Sequence, residues 1–345
     1  MMKTIARFSL IACVLLMISA TAHAQSCGCE SCSAGFEDCC DAPGLNLFEE
    51  GVCDSGACAD PCGPKWTTSA WGLFLDRDAP SGGIPLVSQN AGSTLLTTDD
   101  LEPSTGSGFG VSLGFARTRG SRFEFTFLNS DWDLSNGLAG NGNLNSVLGT
   151  VDYTLADRID ISYDSEMQSF ELNHWVDTNA NFSWMFGARY FSLDESFRLT
   201  GTDGNFVSNY DINTQNDMFG GQLGASIEET IVAGFLRGHV TGKVGIFGNE
   251  ASSDSMLRDV NNTVEFRSSS VSNTDAAFLG DVDAGITACV SEMFQVRAGY
   301  QMLWLNDVAL APEQFQGNAA SPEQPINSSG KLFMSGAYIG AMISW

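Results

Sequence analysis

The sequence predicts an all-β chain: a single antiparallel transmembrane β-barrel of about ten strands (about eight to twelve), preceded by a small cysteine-rich N-terminal extension. Three observations predict this fold. The chain begins with an export signal, the residues from 66 onward fall into segments of alternating polarity, and the connections between those segments alternate between short and long.

The N-terminus has the three parts of a secretory signal peptide. Two basic residues come first, residues 8–20 form an apolar run, and residues 22–24 (Ala-His-Ala) fit the small-x-small pattern of a signal-peptidase site. The apolar run is too short to span a membrane, and no stop-transfer pattern follows it. We therefore predict a signal peptide over residues 1–24.

A lipoprotein signal is the alternative, because residues 10–13 (Leu-Ile-Ala-Cys) match a lipobox. Cleavage there would leave only about five apolar residues after Arg7, whereas the apolar part of a signal peptide needs roughly 7–15. Cys13 is therefore interpreted as an ordinary residue of the apolar run.

The chain is strongly acidic, with a formal net charge of −25 at pH 7. This charge repels nucleic acid and anionic lipid headgroups, so no nucleic-acid partner is predicted. We interpret the acidic residues as solvating the loops. Divalent-cation binding, the alternative, needs a ligand spacing such as Asp-x-Asp-x-Asp-Gly, which the sequence lacks. No metal site and no cofactor are predicted.

After the signal peptide, the composition argues against membrane-spanning helices. The longest apolar run is eight residues, at 336–343, far below the ~20 that a transmembrane helix needs. Phenylalanine is the commonest aromatic residue, and lysine is nearly absent after Lys65. Such a composition is typical of strands.

Residues 25–65 form a cysteine-rich segment without apolar periodicity, so the segment cannot build a core of its own. In an oxidising periplasm an even number of cysteines indicates a disulfide framework, whose pairing the sequence does not determine. The disulfide candidates are Cys27, Cys29, Cys32, Cys39, Cys40, Cys53, Cys58 and Cys62.

Two alternatives stay open for this segment. The pairs Cys29/Cys32 and Cys58/Cys62 have the spacing of metal ligands, although no second matching pair lies at a zinc-ribbon distance and the compartment favours oxidation. Cross-linking to another protein of the cell envelope is the second alternative, which makes an envelope protein a possible partner.

From Trp66 onward, side chains alternate between apolar and polar. In residues 121–127 three phenylalanines share one face while an arginine, a glutamate and a threonine share the other, and residues 237–244 and 281–286 repeat the pattern. In a membrane barrel the apolar face contacts lipid and the polar face lines the lumen. In a soluble secreted β-sandwich, the alternative, the apolar face packs on a second sheet.

The alternating segments number ten, and their connections alternate between short turns and long loops rich in Gly, Ser, Asn and Asp. Barrels of outer membranes have short periplasmic turns and long external loops, so both ends of this barrel are expected in the periplasm. The segments lie near 66–77, 107–117, 121–132, 160–175, 181–193, 209–228, 232–248, 276–290, 293–305 and 331–345. The long loops lie near 78–106, 133–159, 194–208, 249–275 and 306–330.

Tryptophan positions fit the two membrane interfaces. Most tryptophans fall near predicted strand ends, where an indole ring can place its apolar body in lipid and its N–H in water. We predict an interface girdle of Trp66, Trp132, Trp175, Trp184, Trp304 and Trp345.

The chain ends on a strand whose apolar face runs from Phe333 to Trp345. This resembles the C-terminal targeting strand of outer-membrane barrels. The predicted partners are therefore the barrel-assembly machinery, through this strand, and outer-membrane lipid. We predict one barrel over residues 66–345 in the cell outer membrane.

Four stretches resemble a known family: residues 165–173, 184–195, 216–224 and, most specifically, 299–312 (Gly-Tyr-Gln-Met-Leu-Trp-Leu-Asn-Asp-Val-Ala-Leu-Ala-Pro). Together they resemble the planctomycete outer-membrane β-barrel proteins, a family similar to the Legionella-type pore-forming outer-membrane proteins. The resemblance covers about residues 66–345. It implies the barrel and its location, and more loosely a pore; it supplies no catalytic residues.

Several ionisable residues fall on the predicted lumen face. His239 shares that face with Arg237 and Lys243, which makes a His–Asp pair with the next strand possible. A network that pairs charges inside the lumen explains these residues better than catalysis does, because barrel lumens are polar by construction. The predicted network consists of Arg189, Arg237, His239, Lys243, Asp281, Asp283 and Arg297.

The expected function is a structural or narrow-pore role in the cell envelope, without enzymatic activity. A secreted β-sandwich adhesin or binding module is one alternative, and an outer-membrane hydrolase is another. The hydrolase is disfavoured because the Gly-x-Ser-x-Gly match at residues 110–114 lies within an alternating segment and not at a strand-to-helix turn, and no Gly-rich phosphate loop is present.

We expect Cys27 to Cys62 to be oxidised in the mature protein and Cys289, far away in sequence, to be free. Cross-links are the main restraint open to an acidic segment without a core. Thiol labelling of the unreduced, denatured protein, followed by mass spectrometry, checks this. Labelling of the cysteines from Cys27 to Cys62, or stoichiometric bound zinc, would contradict the disulfide framework.

Overall fold

A computed structural model of the chain describes residues 66–345, except positions 91, 119, 180, 234, 292 and 317–323. The predicted signal peptide (1–24) and the cysteine-rich segment (25–65) lie outside the described residues. In the described part of the chain, no helix is long and apolar enough to cross a membrane.

The chain folds into one antiparallel sheet of twelve strands. They are β1 (Trp66–Arg77), β2 (Pro85–Gln89), β3 (Thr94–Thr97), β4 (Gly106–Thr118), β5 (Ser121–Ser146), β6 (Ala156–Asn179), β7 (Phe182–Asp203), β8 (Phe206–Val232), β9 (Leu236–Asp259), β10 (Val264–Cys289), β11 (Phe294–Val308) and β12 (Gly330–Ser344). Ten of these strands form a closed ring, because β1 pairs with both β4 and β12 and the remaining neighbours pair in chain order. The short β2–β3 hairpin lies outside the ring and pairs with the far end of β5.

The closed ring confirms the predicted fold class. Each of the ten segments predicted from alternating polarity overlaps one ring strand. A soluble sandwich is contradicted, because a sandwich consists of two sheets with free edges and this sheet closes on itself. The two ends of the barrel differ. We call the end with the four short turns, Trp66 and Trp345 the turn end, and the opposite end the loop end.

Three predicted loops are wrong. Most residues of 133–159, 194–208 and 249–275 continue the strands, so β5 to β10 are 22–27 residues long. The physical reason is that the outward face of these extensions meets water. Its Ser, Asn and Asp residues resemble the composition of a loop, although their backbones pair as strands.

The two faces of a strand differ in polarity, and strand β7 shows the difference near the turn end. There Trp184, Phe186 and Tyr190 point outward and are exposed, while Ser183 and Arg189 point inward and are buried. This is the arrangement of a barrel whose outside contacts lipid and whose inside is polar.

Toward the loop end, the two faces of β7 exchange their polarity. Leu193, Phe197 and Leu199 are now buried inside, while Asp194 and Arg198 point outward and are exposed. Exposed outward apolar side chains therefore form an apolar belt around the turn-end half of the barrel. Its members include Phe74, Phe125, Leu172, Phe186, Phe219, Leu223, Val240, Val244, Ile246, Ile286, Tyr300 and Ile339.

Two of the six tryptophans predicted for the interface girdle lie inside the barrel instead. Trp132 is 2% exposed and donates its indole N–H to the Leu75 carbonyl at 2.8 Å. Trp175 is 3% exposed, and the Arg122 guanidinium lies 4.8 Å from its ring centroid. Both occupy lumen-facing positions of the two-residue period. The girdle prediction considered only how close each tryptophan lies to a strand end, and not which face of the strand it occupies. Trp66, Trp184 and Trp345 are exposed at the turn end, and Trp304 is half-buried on the outward face of β11.

The expectation of a free Cys289 is wrong, because this residue is disulfide-bonded. The eight predicted disulfide cysteines, from Cys27 to Cys62, lie outside the described residues. Separation in sequence misleads here. Cys289 ends β10 at the turn end, and the chain enters the barrel at that same end, at Trp66.

Replacing Ile246 by arginine tests the apolar belt. Ile246 is the most exposed apolar side chain of β9, at 71%. If the belt contacts lipid, Ile246→Arg should lower the free energy of unfolding in lipid vesicles by ~1–3 kcal/mol, because Ile246 lies in the loop-end part of the belt, between the midplane cost of ~2–4 kcal/mol and the interface cost of ~0–1 kcal/mol. Denaturant titration followed by tryptophan fluorescence measures this. Ser252→Arg, on the same strand beyond the belt, is the control, and equal effects of the two variants would contradict the belt.

Candidate functional site

The lumen of the turn-end half holds a buried group of two cations and two carboxylates. Arg189 lies 3.4 Å from the Glu171 carboxylate and 3.3 Å from that of Asp281. Lys243 donates from Nζ to Glu171 at 2.9 Å, and Gln222 donates to the same carboxylate oxygen at 2.9 Å. Opposite charges in such a group satisfy each other away from water, so removing one partner would leave a buried charge alone.

A second group surrounds the only histidine on the described lumen face. His239 Nε2 lies 2.7 Å from Asp283 Oδ1 and 3.1 Å from both Tyr338 Oη and Arg297 Nη2. The Tyr338 hydroxyl also donates to Asp283, at 3.2 Å. Every partner of Nε2 is thus an ionic or phenolic group of the lumen, and none is a hydroxyl or thiol nucleophile of the kind that hydrolases activate.

Near the turn end, two further ion pairs line the inner wall. Arg237 lies 2.9 Å from Glu228, and Arg122 lies 3.3 Å from Asp177. The seven residues of the predicted network are thus all placed in the lumen, but in three groups. Glu171, Glu228 and Arg122 are not among the predicted residues, although their positions in the two-residue period place them on the lumen face.

Above these charges, buried apolar side chains from nine of the ten ring strands pack together inside the barrel. The inner apolar layer consists of Leu73, Leu75, Leu128, Trp132, Met167, Phe191, Leu193, Met218, Phe247, Ala277, Leu279, Leu303, Leu305, Val308, Leu310, Leu332, Met334 and Tyr338. All of them are less than 10% exposed. A second apolar cluster, the cap layer, lies at the loop end and includes Leu86, Tyr153, Ile161, Phe197, Tyr210 and Phe315.

The connection between β11 and β12 enters this interior. Val308, Ala309, Leu310 and Ala311 are completely buried, and a short 3-10 helix (Ala311–Gln314) follows. We call residues 308–315 the plug. Val308 and Leu310 belong to the inner apolar layer, whereas Ala311 and Phe315 belong to the cap layer. The plug therefore joins the two layers across the barrel axis.

Asparagine side chains of the wall hold the plug by its backbone. Asn216 donates from Nδ2 to the Ala309 carbonyl at 2.8 Å and accepts from the Ala309 N–H at 2.7 Å. Asn249 donates to Asn216 Oδ1 at 3.1 Å and to the Asp307 carbonyl at 3.3 Å. A carboxamide presents a donor and an acceptor side by side, so Asn216 pairs with the plug as a neighbouring strand would.

A buried ion pair holds the next residue of the plug. The Ala311 N–H donates to Glu195 Oε2 at 2.7 Å, and the other carboxylate oxygen of Glu195 accepts from Arg77 at 2.5 Å and from Tyr163 at 2.9 Å. The side chains of Arg77 and Glu195 are both 0% exposed. Burial raises the pKa of the Tyr163 phenol well above its usual value despite the nearby Arg77, so the phenol stays a neutral donor. Glu195 of β7 therefore holds the plug in place.

The outer wall just beyond the apolar belt is strongly acidic. Asp131, Glu166 and Asp194 lie opposite one another on β5, β6 and β7, and Asp133 and Asp164 do so one step farther. These rows border a shallow depression of about 440 Å³. Among the described residues, no three His, Cys, Asp or Glu side chains are grouped so that they could hold a metal ion.

Comparison with known proteins gives structural likeness only. No family model matches the chain, and no curated protein matches it. The outer-membrane protease OmpT from Escherichia coli is 10% identical at a TM-score of 0.46, with 82% of this chain and 97% of that chain covered. The translocator domain of the autotransporter NalP from Neisseria meningitidis is 9% identical at 0.41, with 83% and 90% covered. The P. putida toluene transporter TodX is 9% identical at 0.35, with 81% and 90% covered.

At this level of similarity the three structures carry no argument about what the chain does. The assignment of an outer-membrane type of barrel rests on the closed ring and the outward apolar belt of the chain itself. The resemblance to planctomycete and Legionella-type proteins stays a prediction.

Replacing Asn216 by leucine should release the plug while keeping side-chain volume. The Ala309 N–H and carbonyl would both lose a buried partner, at about 1–3 kcal/mol for each unsatisfied group. Hydrogen exchange followed by mass spectrometry should then show amides of residues 307–315 exchanging at least about tenfold faster, because ~1.4 kcal/mol corresponds to a factor of ten. Asn213→Leu, on the outward face of β8, is the matched control. Unchanged exchange in Asn216→Leu would show that these hydrogen bonds do not hold the plug.

Proposed function

We propose that the chain resides in the outer membrane with its turn end in the periplasm and its loop end outside, and that it is a non-conducting structural barrel that displays its loop end at the cell surface. The plugged lumen is the observation that supports this proposal most strongly.

The outside of the barrel supports the membrane location. Exposed apolar side chains form the apolar belt, and exposed tryptophans (Trp66, Trp184 and Trp345) lie at the turn end, as interfacial anchors do. Long connections are confined to the loop end, which in such barrels faces outward. The cysteine-rich segment precedes Trp66 and would therefore begin in the periplasm, where its cysteines meet oxidants.

The inside of the barrel supports the absence of conduction. A solute would have to pass the inner apolar layer, the plug and then the cap layer, each of them filled with buried side chains. Opening would also separate Glu195 from the Ala311 N–H, so that the buried Arg77–Glu195 pair would lose a hydrogen bond. A barrel of about this size has an interior that side chains can fill.

The alternative of a hydrolase finds no support in the histidines of the described chain. His239 is enclosed by Asp283, Tyr338 and Arg297 within the lumen. His174 lies on the outward face of β6 between the rings of Phe123 and Phe186, at 4.7 and 5.1 Å. Its Nε2 lies 2.9 Å from Ser121 Oγ, but its Nδ1 has no hydrogen-bond partner, so no carboxylate orients the ring as a Ser–His–Asp arrangement requires. A structural role therefore fits these side chains better than catalysis does.

Planar-bilayer recording tests the structural role. The refolded mature protein should insert without steady conductance, whereas the double variant Asn216→Leu/Asn249→Leu, with its plug released, should show opening events. The double variant Asn213→Leu/Ser252→Leu, on the outward faces of the same two strands, should stay silent. Large, stable open events of the wild-type protein would contradict the proposal and favour a pore.

A further inference from the structure

Three chain reversals meet at the loop end and are fastened to one another by two buried aspartates. Asp259 accepts from the N–H groups of Val151 and Asp152, at 2.6 and 2.8 Å. Asp152 in turn accepts from the Ser208 hydroxyl at 2.5 Å and from the Asn261 N–H at 2.8 Å. Both aspartates are at most 2% exposed. The β5–β6 connection, the β7–β8 hairpin and the β9–β10 hairpin therefore form one rigid platform.

Asparagine side chains tighten the same platform. Asn262 donates from Nδ2 to the Val207 carbonyl at 2.9 Å, and Asn261 accepts from the Val207 N–H at 3.3 Å. Asn261 and Asn262 have φ angles of 56° and 58°, in the left-handed region, which asparagine tolerates better than most residues. These two asparagines thus adopt the left-handed backbone conformation that the junction of the two hairpins requires.

The platform presents apolar side chains to solvent. The tip patch consists of Val151, Phe206, Val207, Val260 and Val264, which are 38–64% exposed. Every member lies within two residues of a hydrogen bond that joins these chain reversals, so their backbones lie together at the top of the platform. Val260 is held at φ 52°, which is strained for a β-branched residue. A loop that needed only solubility would have neither the strain nor the apolar side chains.

The membrane that holds the barrel cannot cover the tip patch. On β7 the apolar belt ends at Tyr190 and the strand continues to Asp203. At ~3.3 Å per residue and a strand tilt of about 40°, this extension raises the patch roughly 30 Å above the belt. The occupant of the patch must therefore come from outside.

The charges beside the tip patch indicate which kind of partner it would bind. Asp157 lies against the β7–β8 hairpin, where it accepts from the Gly204 N–H at 3.0 Å. Asp203 stands opposite Phe206 across this hairpin, and Glu265 follows Val264 in the chain. Two cations stand at the same margin, each beside a carboxylate: Arg258 stands opposite Glu265, and Arg158, next to Asp157, forms an ion pair with Asp160, which leaves Asp157 and Asp203 in excess. A second copy of this chain would bring the same acidic margin and the same acidic wall, so self-association is disfavoured.

We propose that the tip patch is a docking site for a protein that presents an apolar surface flanked by lysine or arginine. Apolar contact would supply affinity, while the acidic margin would attract basic partners and reject acidic ones. The rigid platform would limit the entropy lost on binding. This proposal rests on the proposed function in one respect, namely that the loop end faces outside.

The test uses the mature chain in lipid nanodiscs and a seven-residue peptide in which Val-Phe-Val stands between two pairs of lysines. Binding is followed by NMR line broadening, with empty nanodiscs as the reference for lipid partitioning. Phe206→Ser/Val207→Ser should weaken binding at least tenfold, and so should Val151→Ser/Val264→Ser. The matched control is Leu95→Ser, an exposed loop-end leucine outside the patch, which should bind as the wild type does.

Two control peptides separate charge from apolar contact. Exchanging the lysines for glutamates should abolish binding, and exchanging Val-Phe-Val for three serines should weaken it at least tenfold. Equal binding by patch variants and wild type, or by lysine and glutamate peptides, would overturn the docking site. Heat-modifiable migration on gels checks that each variant is folded, and the two double variants act independently.

Orientation is tested separately, so that failure of the proposed function can be recognised. An epitope inserted between Gly204 and Asn205 should be detected by antibody on intact cells. Absence of labelling on intact cells, with labelling after the outer membrane is opened, would contradict the orientation. The peptide experiment on purified protein would still decide whether the patch binds.

Discussion

Backbone hydrogen bonds between β1 and β12 close the sheet, and the other features of the barrel depend on this closure. Eleven residues of β1, from Thr67 to Arg77, stand opposite residues of β12. A closed sheet has no edge, so the backbone polar groups of the ring pair within it even where lipid could not pair with them. Once the backbone is satisfied in this way, the side chains need only match the medium on each side of the wall.

That matching explains why the two faces exchange their polarity along a single strand. Where lipid is outside, apolar side chains gain by pointing outward, and the charged groups around Arg189 and His239 must pair inside. Where water is outside, the hydrophobic effect favours an apolar interior, which the inner apolar layer and the cap layer provide. The loop-end half is therefore packed like a soluble protein, whereas the turn-end half is organised like a membrane barrel.

The sequence predicts features that a two-residue period encodes. The stretch Ser121–Phe127 shows its two faces directly, so β5 was predicted where it begins. The far half of β9 was not, because a Ser/Asn/Asp-rich strand in water has the composition of a loop. Trp132 and Trp175 were assigned by their height along the strand, although the same period places them inside. Strand existence thus follows from local pattern, while strand length depends on pairing with distant residues.

The plug was beyond prediction for a different reason. The stretch Val308–Ala311 lies in residues 299–312, the most specific stretch of the family resemblance. However, periodicity does not reveal that a connection folds back into a barrel. Its anchors are distant in sequence: Asn216 lies 93 residues from Ala309, and Glu195 lies 116 residues from Ala311. Such contacts depend on how the closed ring brings strand positions together across the lumen, and no local pattern records that.

The plug closes the loop end on the lumen side, and the platform closes it on the solvent side. Both contribute side chains to the cap layer, which lies between them. Phe315 of the plug packs against Tyr210 at 5.4 Å between ring centroids, while Tyr153, beside Asp152 of the platform, belongs to the same apolar cluster. Withdrawing the plug would therefore remove apolar packing from beneath the platform. A barrel that opened as a pore would loosen the surface it displays. A barrel that keeps its lumen filled holds that surface rigid, and for this reason a closed lumen and an ordered loop end are consistent parts of one structural role.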